Sequence, residues 1–452
     1  MLLVTGALLA PVHGFASEPA DTERARAQQE FRLAFDAGDY MQALAPAQRV
    51  VELTSSQFGA GAVELATPLT NLATTLLRME RLGETHALYS RAFEILAKQT
   101  HPADARRIAP LQGIATILQA SNRHEDAIVV LEEAVDLVRA SEGLDSPAQF
   151  PLQWALVESH EKTHRMEEAN RIRLHIFHTA ERAFGADDVR MIGPLCDLAA
   201  WYEKSGRYSG ARVIYLRAVQ LADRHEPGSV QAIKPLQGVA RLFRKQRLSA
   251  GHRQLLKAGY ANQEARALGE LPLSILHAGI PDFMAARPDE GQWALEEALL
   301  RLAGTDKEQA LERGQLLVEL GDLHRLMGSR SKAMAAWSEA WGELAHGGDT
   351  SLLDQPAILG KEQGRRRAVR PPLANQEVLL QLSVTAAGGV DDVAVVLPQL
   401  ERKRGRQLAS WAPAYTLRPA FAAGKPVAMK DFVHREFIAI PLDWLRSGDS
   451  GK

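Results

Sequence analysis

The stretch that decides the fold is Ile108-Ala109-Pro110-Leu111-Gln112-Gly113-Ile114-Ala115, followed after a break by Ala127-Ile128-Val129-Val130-Leu131-Glu132-Glu133-Ala134-Val135. On both sides of the break, apolar residues recur at i, i+3, i+4 and i+7, which is the spacing of an amphipathic helix. The break itself contains the short polar run Ser121-Asn122-Arg123. The stretch therefore predicts two amphipathic helices joined by a tight turn.

The same pattern recurs along the chain with a period of 42 residues. The residues that open the second helix of each pair are evenly spaced, and they are Tyr40, Leu82, His124, Met166 and Tyr208. A Pro-Leu step marks the first helix of each later pair, and we expect its proline to bend or to start that helix. Looser second helices are predicted near Leu248, Pro288 and Arg330. Because one pair cannot bury its own apolar face, neighbouring pairs should stack into a solenoid.

Two segments carry a family resemblance. The run from Gly206-Arg207-Tyr208 to Ala218, and Leu72-Ala73 before the turn at Leu82, resemble the tetratricopeptide repeat in the 42-residue form of kinesin light chain-like arrays. The resemblance implies a right-handed α-solenoid over residues 22–344, with protein or peptide partners held in a groove lined by the first helices. The groove residues it indicates are Thr70, Thr74, Gln112, Thr116, Gln119, Glu203, Gln237 and Arg241.

Composition and charge limit the class of protein. Hydrophobic residues make up 46% and charged residues 24% of the 452-residue chain, as in a soluble globular protein. The net charge of -2 argues against a general nucleic-acid binder, and we expect no nucleic-acid partner. The part from Lys361 onward contains 15 Lys and Arg residues and 9 Asp and Glu residues, which gives it a net charge of +6. The part before it therefore has a net charge of -8. The asymmetry suits an anionic partner for the C-terminal part, or contact between the two parts.

The N-terminal segment resembles a targeting signal. An apolar run from Leu2 to Leu9 is followed by Pro11 and the small residues Gly14 and Ala16. This order predicts a signal peptide over residues 1–16 and a periplasmic protein. The alternative is an intracellular repeat scaffold in which the apolar segment is structural. The run is too short to span a membrane, and no membrane span is predicted elsewhere.

The periodicity changes in the C-terminal part. Residues 345–374 lack apolar periodicity and predict a linker. Alternation with a period of two then predicts strands at Val378–Val384, Val390–Leu397 and Phe432–Ile440, with a helix at Leu400–Trp411. The order ββαβ predicts a small α+β domain over residues 375–443, followed by a tail over 444–452.

A second resemblance concerns this small domain. The step Arg418-Pro419-Ala420, the turn Gly424-Lys425-Pro426-Val427 and the hairpin from Val384 to Val390 are similar to the C-terminal domain of TonB-type energy transducers. In that family, an edge strand of the domain pairs with a short peptide of an outer-membrane transporter. The resemblance implies β-augmentation along the last strand, with an outer-membrane protein among the candidate partners. The contact residues it indicates are Phe432, His434, Glu436 and Ile438.

One motif suggests enzyme chemistry. His160-Glu161-Lys162-Thr163-His164 matches H-E-x-x-H, in which two histidines on consecutive turns of a helix bind zinc and the glutamate acts as a base. A zinc-dependent hydrolase is therefore the alternative from another class. The repeat register places this segment where a first helix runs into its turn, which argues against a continuous helix. We predict a non-enzymatic interaction scaffold with no catalytic residue, cofactor or metal, and we expect the single Cys196 to be a packing or groove residue.

Overall fold

The computed structural model describes residues 18–248, 271–272, 274–275, 289–302, 304, 306–362, 373–396 and 414–441. The predicted signal peptide, the predicted helix at Leu400–Trp411 and the predicted tail lie outside these residues. The chain divides into two compact units, Met1–Ala186 and Asp187–Lys452, which are described separately below. None of the described helices is long and apolar enough to cross a membrane.

The described part of the first unit consists of paired α-helices, as the repeat predicts. Its helices are α1 (Glu18–Asp36), α2 (Tyr40–Phe58), α3 (Ala66–Arg78), α4 (Leu82–Gln99), α5 (Ile108–Ala120), α6 (His124–Glu142), α7 (Phe150–Lys162) and α8 (Met166–Phe184). The second helices begin at the four residues that the 42-residue period indicated. The predicted helix-pair repeat is therefore confirmed in this unit.

The second unit combines helices with strands. Its described helices are α9 (Ile192–Lys204), α10 (Tyr208–His225), α11 (Ile233–Leu248), α12 (Glu290–Leu300), α13 (Lys307–Leu326) and α14 (Arg330–Gly347). The predicted second helix near Arg330 is confirmed as α14, and α12 begins two residues after Pro288. The prediction near Leu248 falls at the end of α11, and the residues that follow lie outside the described part.

The repeated prolines start the first helices. Pro68, Pro110, Pro151, Pro194 and Pro235 each stand second or third in α3, α5, α7, α9 or α11. A short 3-10 turn precedes each of these helices, for example Ala105–Arg107 before α5. Amide groups in the first turn of a helix have no intrahelical acceptor, so a proline there removes no helical hydrogen bond. The prolines are accommodated by their position at the helix start.

A small residue stands three positions after the start of each of six second helices. The side chains there are fully buried, with exposed fractions of 0% at Ala43, Thr85, Ala127, Ala169, Ala211 and Ala333. Small side chains let the two helix backbones approach, and larger residues from the neighbouring helices complete the core. The register inferred from the sequence is thus the register of the core.

Glycines on first helices receive large aromatic side chains. A Cβ atom placed on Gly113 of α5 would lie 2.3 Å from the ring of Tyr89 on α4. Likewise, a Cβ on Gly238 of α11 would lie 2.5 Å from the ring of Tyr215 on α10. Only glycine fits at these two places, because the aromatic ring fills the space of the missing side chain.

Within the described residues, seven strands follow α14 in the second unit. They are β1 (Ala357–Glu362), β2 (Leu373–Val384), β3 (Val390–Val396), β4 (Ala414–Arg418), β5 (Ala420–Ala422), β6 (Lys425–Val427) and β7 (Met429–Pro441). They form an antiparallel sheet in the order β3-β2-β7 and two antiparallel pairs, β1-β4 and β5-β6. The three predicted strands are confirmed as β2, β3 and β7. The structure differs from the expected linker at β1, whose pairing partner β4 is distant in sequence and invisible to a local pattern.

The strands pack directly on the last helix pair. Phe421 of β5 lies in one core with Trp337 and Leu344 of α14. The guanidinium of Arg418 in β4 lies 3.1 Å from both carboxylate oxygens of Asp322 in α13, and both side chains are over 90% buried. The indole N–H of Trp337 donates to the same carboxylate at 3.0 Å. A buried, hydrogen-bonded ion pair therefore joins the strands to α13.

Candidate functional site

The groove residues expected in the first unit have different environments. Thr70 is buried, and its hydroxyl donates to the carbonyl of Ala66. The Thr74 hydroxyl lies 2.9 Å from the Tyr89 hydroxyl, and the Gln119 amide donates across to α7 at the Ala155 carbonyl. The remaining two, Gln112 and Thr116 on α5, are exposed. Thus only Gln112 and Thr116 of these five are exposed polar side chains.

The structure brings two expected groove residues of the second unit together. Arg241 of α11 binds the Glu203 carboxylate of α9 with Nε–Oε distances of 2.9 and 3.1 Å. Lys245 adds a contact of 2.7 Å, and the Tyr215 hydroxyl donates to the same carboxylate at 3.3 Å. Burial opposes ionisation of Glu203, but the hydrogen bonds from Arg241 and Lys245 outweigh it and lower the Glu203 pKa. The third expected residue, Gln237, is half-buried on α11.

Strand β7 presents two different faces. Of the residues expected to contact a partner, Phe432 packs in the core between the sheets and Glu436 is 6% exposed. His434 is half-buried, and its ring contacts that of Tyr415. The backbone of Ile438 pairs with Gln376 of β2, and its side chain lies outside the described residues. The alternate residues Val433, Arg435 and Phe437 are exposed on the opposite face.

The Glu436 carboxylate ties β7 to the pair β1-β4. It accepts hydrogen bonds from the Lys361 ammonium at 2.9 Å and from the Tyr415 hydroxyl at 3.2 Å. Burial opposes ionisation of Glu436, but the Lys361 contact prevails and lowers the Glu436 pKa. Burial also raises the pKa of Tyr415. Lys361 and Tyr415 could not be recognised from the sequence, because their contact with Glu436 depends on the pairing of β1 with β4.

The backbone direction along β7 follows from one hydrogen bond. The Phe437 N–H donates to the Glu436 side chain at 3.1 Å. In an antiparallel pair, successive residues alternate between bonding the neighbouring strand and pointing away from it. We therefore assign outward N–H and C=O groups to Val433, Arg435 and Phe437, and groups bonded to β2 to His434 and Glu436. Among the strands that the structure describes, β7 pairs only with β2, so its other side is an open edge.

The H-E-x-x-H segment does not form the geometry that zinc binding requires. Helix α7 ends at Lys162, and His164 lies beyond it in the turn with a φ of 61°. The two imidazoles therefore do not lie on consecutive turns of one helix, and the Glu161 carboxylate pairs with Arg173 at 2.7 Å. Within the described ranges, no group of three His, Cys, Asp or Glu side chains is placed to hold a metal ion. The buried Cys196 has its pKa raised to about 12 by burial, which makes it an unreactive packing residue.

We expect the folded protein to lose stability in mild acid, because three histidines are at least partly buried. Burial lowers the pKa of His160, His175 and His324 below the usual value of about 6.5. The unfolded chain then binds protons more readily than the folded chain, so the free energy of unfolding falls as the pH falls through the unfolded-state pKa of about 6.5. We expect the denaturation midpoint to drop between about pH 7.5 and pH 5.5.

The matched variant for this effect is His160→Leu. Leucine stands 42 residues earlier, at Leu118, so the side chain suits the site. The two proteins differ in no other titratable group, and the variant should therefore lose less stability than the native chain over the same pH range. Parallel pH profiles for the two proteins would show that His160 does not contribute.

Comparisons with known proteins give likenesses of fold. No protein-family model matches the chain, and no curated protein matches it. Among solved structures, a putative kinesin light chain with TPR-like repeats from Podosopora anserina is 15% identical, with 47% of this chain and 99% of that chain covered and a TM-score of 0.40. The apo form of RapI is 10% identical, with coverages of 72% and 98% and a TM-score of 0.41. The apo quorum sensor NprR from B. thuringiensis is 14% identical, with coverages of 72% and 88% and a TM-score of 0.36.

Proposed function

We propose that this chain is a non-enzymatic protein-interaction scaffold whose principal binding site is the open edge of β7. The observation that carries the proposal is the outward direction of the backbone groups at Val433, Arg435 and Phe437. An extended peptide laid along this edge forms main-chain hydrogen bonds with them, as in β-augmentation. The similarity to the TonB C-terminal domain points to the same mode of binding.

The exposed side chains along the edge define the partner's chemistry. Val433 and Phe437 are 56% and 68% exposed, and Arg435 stands between them. Alternate residues of a paired strand lie beside one another on the same face of a sheet. A fitting peptide therefore carries an acidic residue between two apolar residues at alternate positions. The Glu436 carboxylate, which accepts from the Phe437 N–H, must release that group if the added strand extends so far.

Two proline variants test strand addition. Arg435→Pro removes an outward amide donor and keeps the hydrogen bonds to β2, whereas His434→Pro removes a bond to β2. His434 and Ile438 are separated by an even number of residues, so the amides of both point toward β2 and proline at either position disrupts the sheet. Only an odd-numbered residue of β7 tests the free edge. We expect Arg435→Pro to abolish binding of a fluorescent peptide with one glutamate between two alternate valines. Its denaturation midpoint should stay close to the native value, while that of His434→Pro should fall.

Arg435→Ala is the control for the side chain, since it keeps the amide and removes the charge. This variant should weaken binding of the acidic peptide and leave binding of an uncharged peptide of the same length unchanged. Native-like peptide affinity in Arg435→Pro would exclude pairing at this edge. The exposed groove residues Gln112 and Thr116 would then be the next candidates.

We further propose that the scaffold acts in the cell envelope, with an outer-membrane protein as one partner. The support is the apolar run from Leu2 to Leu9 followed by small residues, and the resemblance of the Arg418-Pro419-Ala420 step and the Gly424-Lys425-Pro426-Val427 turn to the TonB family. The mature chain isolated from its native host should begin near Ser17. N-terminal sequencing that still finds Met1 or Leu2 would contradict the periplasmic location.

A further inference from the structure

Each edge strand of the β3-β2-β7 sheet has a backbone amide that is bonded to the preceding acidic side chain. On β7, the Glu436 carboxylate accepts from the Phe437 N–H at 3.1 Å. On β3, which pairs only with β2 among the described strands, the Asp392 carboxylate accepts from the Val393 N–H at 2.9 Å. The same local arrangement therefore occurs on both edges of the sheet.

The pairing of β2 shows that the Val393 amide, like that of Phe437, lies on the free side of its strand. Leu380 of β2 pairs with His434 of β7, so the backbone groups of the next residue, Gln381, turn to β3. Gln381 pairs there with Ala394, and the backbone groups of Val393 therefore point away from β2. Both occupied amides are thus amides that an added strand would need.

The Glu436 oxygen lies where an added strand would place its own acceptor. In a sheet, a backbone nitrogen and the carbonyl oxygen that accepts from it lie about 2.9 Å apart. The Oε1 atom of Glu436 lies 3.1 Å from the Phe437 nitrogen, so it fills the position of an incoming carbonyl oxygen. Both oxygens carry negative charge and repel one another at such a distance. Pairing at Phe437 therefore requires the Glu436 side chain to move away.

Contacts with two other strands hold the Glu436 carboxylate in this position. The Lys361 ammonium of β1 donates to Oε1 at 2.9 Å and to Oε2 at 3.2 Å. The Tyr415 hydroxyl of β4 donates to Oε2 at 3.2 Å. The Glu436 side chain is buried, so moving it breaks these contacts and leaves the Tyr415 hydroxyl without its acceptor. Displacement of the carboxylate by a peptide is therefore unfavourable.

The preceding part of β7 is open, since the outward amides of Val433 and Arg435 have no acceptor among the described residues. We propose that Glu436 limits the length of the partner strand, whose main chain pairs with β7 as far as Arg435 and no further. This inference rests on the proposed peptide site at the β7 edge. The apolar residue of the partner that faces the Phe437 ring then contributes a side-chain contact without main-chain hydrogen bonds. The site suits a short peptide strand and rejects the long edge of another sheet.

Peptides of different lengths test this limit. The shortest carries one glutamate between two alternate valines, and two longer peptides add three alanines at its N-terminal or at its C-terminal end. One of these two ends passes Phe437, whichever way the added strand runs. Fluorescence anisotropy with the full chain measures the three dissociation constants. In the native chain, we expect the alanines that pass Phe437 to change the affinity by less than twofold.

The decisive variant combines Glu436→Leu with Lys361→Met, which removes both charges of the buried contact and leaves neither unpaired. In this double variant, the alanines that pass Phe437 should raise the affinity at least fivefold more than in the native chain, because the Phe437 N–H becomes free. Alanines at the other end should have the same effect in both proteins. Tyr415→Phe keeps the carboxylate, removes one of its donors and should give a smaller gain in the same direction.

The matched control combines Lys307→Met with Glu308→Leu. It also removes one charge of each sign, at exposed positions of α13, and should bind all three peptides as the native chain does. Circular dichroism and the denaturation midpoint show whether the Glu436 double variant is folded. If it is not, Tyr415→Phe provides the test.

The outcomes separate the length limit from the peptide site itself. Equal effects of the alanines in the native chain and in the variants would overturn the length limit and leave the peptide site intact. No binding of any peptide to the native chain or the variants would overturn both. Binding to the double variant alone would support the blocking role of Glu436 and contradict the peptide site as a function of the native chain.

Discussion

Replacing Asp322 with alanine is expected to lower the free energy of unfolding of the second unit by about 3–5 kcal/mol. The variant leaves the buried guanidinium of Arg418 without its counter-charge, and the indole N–H of Trp337 loses its acceptor. An unpaired buried charge costs far more than the ion pair itself contributes. Urea denaturation followed by tryptophan fluorescence and circular dichroism measures the loss.

Two controls separate the unpaired charge from other effects. The double variant Asp322→Leu with Arg418→Met removes both charges and should recover most of the lost stability. Glu30→Ala breaks the exposed pair with Arg26 and should cost less than about 0.5 kcal/mol. If the double variant is as unstable as Asp322→Ala, packing around α13 rather than charge accounts for the effect.

Gly321→Ala is expected to destabilise the last helix pair by about 1–3 kcal/mol. A Cβ at Gly321 of α13 would lie 2.4 Å from the Cδ1 and Nε1 atoms of Trp337. The indole cannot move aside freely, because it is 1% exposed and bonded to Asp322. Alanine favours the helix over glycine by about 1 kcal/mol, and the clash should exceed this gain.

Gly342→Ala provides the matched comparison on the partner helix α14. A Cβ there meets no atom within 4 Å, and Gly342 is exposed within the helix. This variant should therefore stabilise the protein by about 0.4–1 kcal/mol. The same substitution is thus expected to lower the free energy of unfolding on α13 and to raise it on α14. Changes of the same sign in both would mean that Trp337 does not fill the space beside Gly321.

The helix pairs were predictable because their signal is local and repeated. Each pair carries its own apolar spacing, its own opening residue and its own small residue, such as Ala127 at 0% exposure. Strands β2, β3 and β7 were predictable for the same reason, since alternation is visible in each one. Strand β1 was not predictable from its own sequence, because this six-residue segment is stabilised by pairing with β4, more than 50 residues away.

The site was harder to predict than the fold. The sequence indicated the strand that forms the edge, but Phe432 and Glu436 proved to face inward, and the exposed residues are their neighbours Val433 and Phe437. Which residues of a strand face the core depends on the layer that covers it, here β1 and β4.

The matched aromatic and glycine residues also bear on how such an array can grow. Tyr89 and Gly113 lie on different helices, yet both fall between Leu82 and Arg123, within one 42-residue period. Tyr215 and Gly238 are likewise separated by less than one period. A duplication or in-frame loss of one period beginning at a second helix therefore carries the protruding ring and its cavity together. The number of helix pairs can therefore change while each aromatic ring keeps the glycine against which it packs.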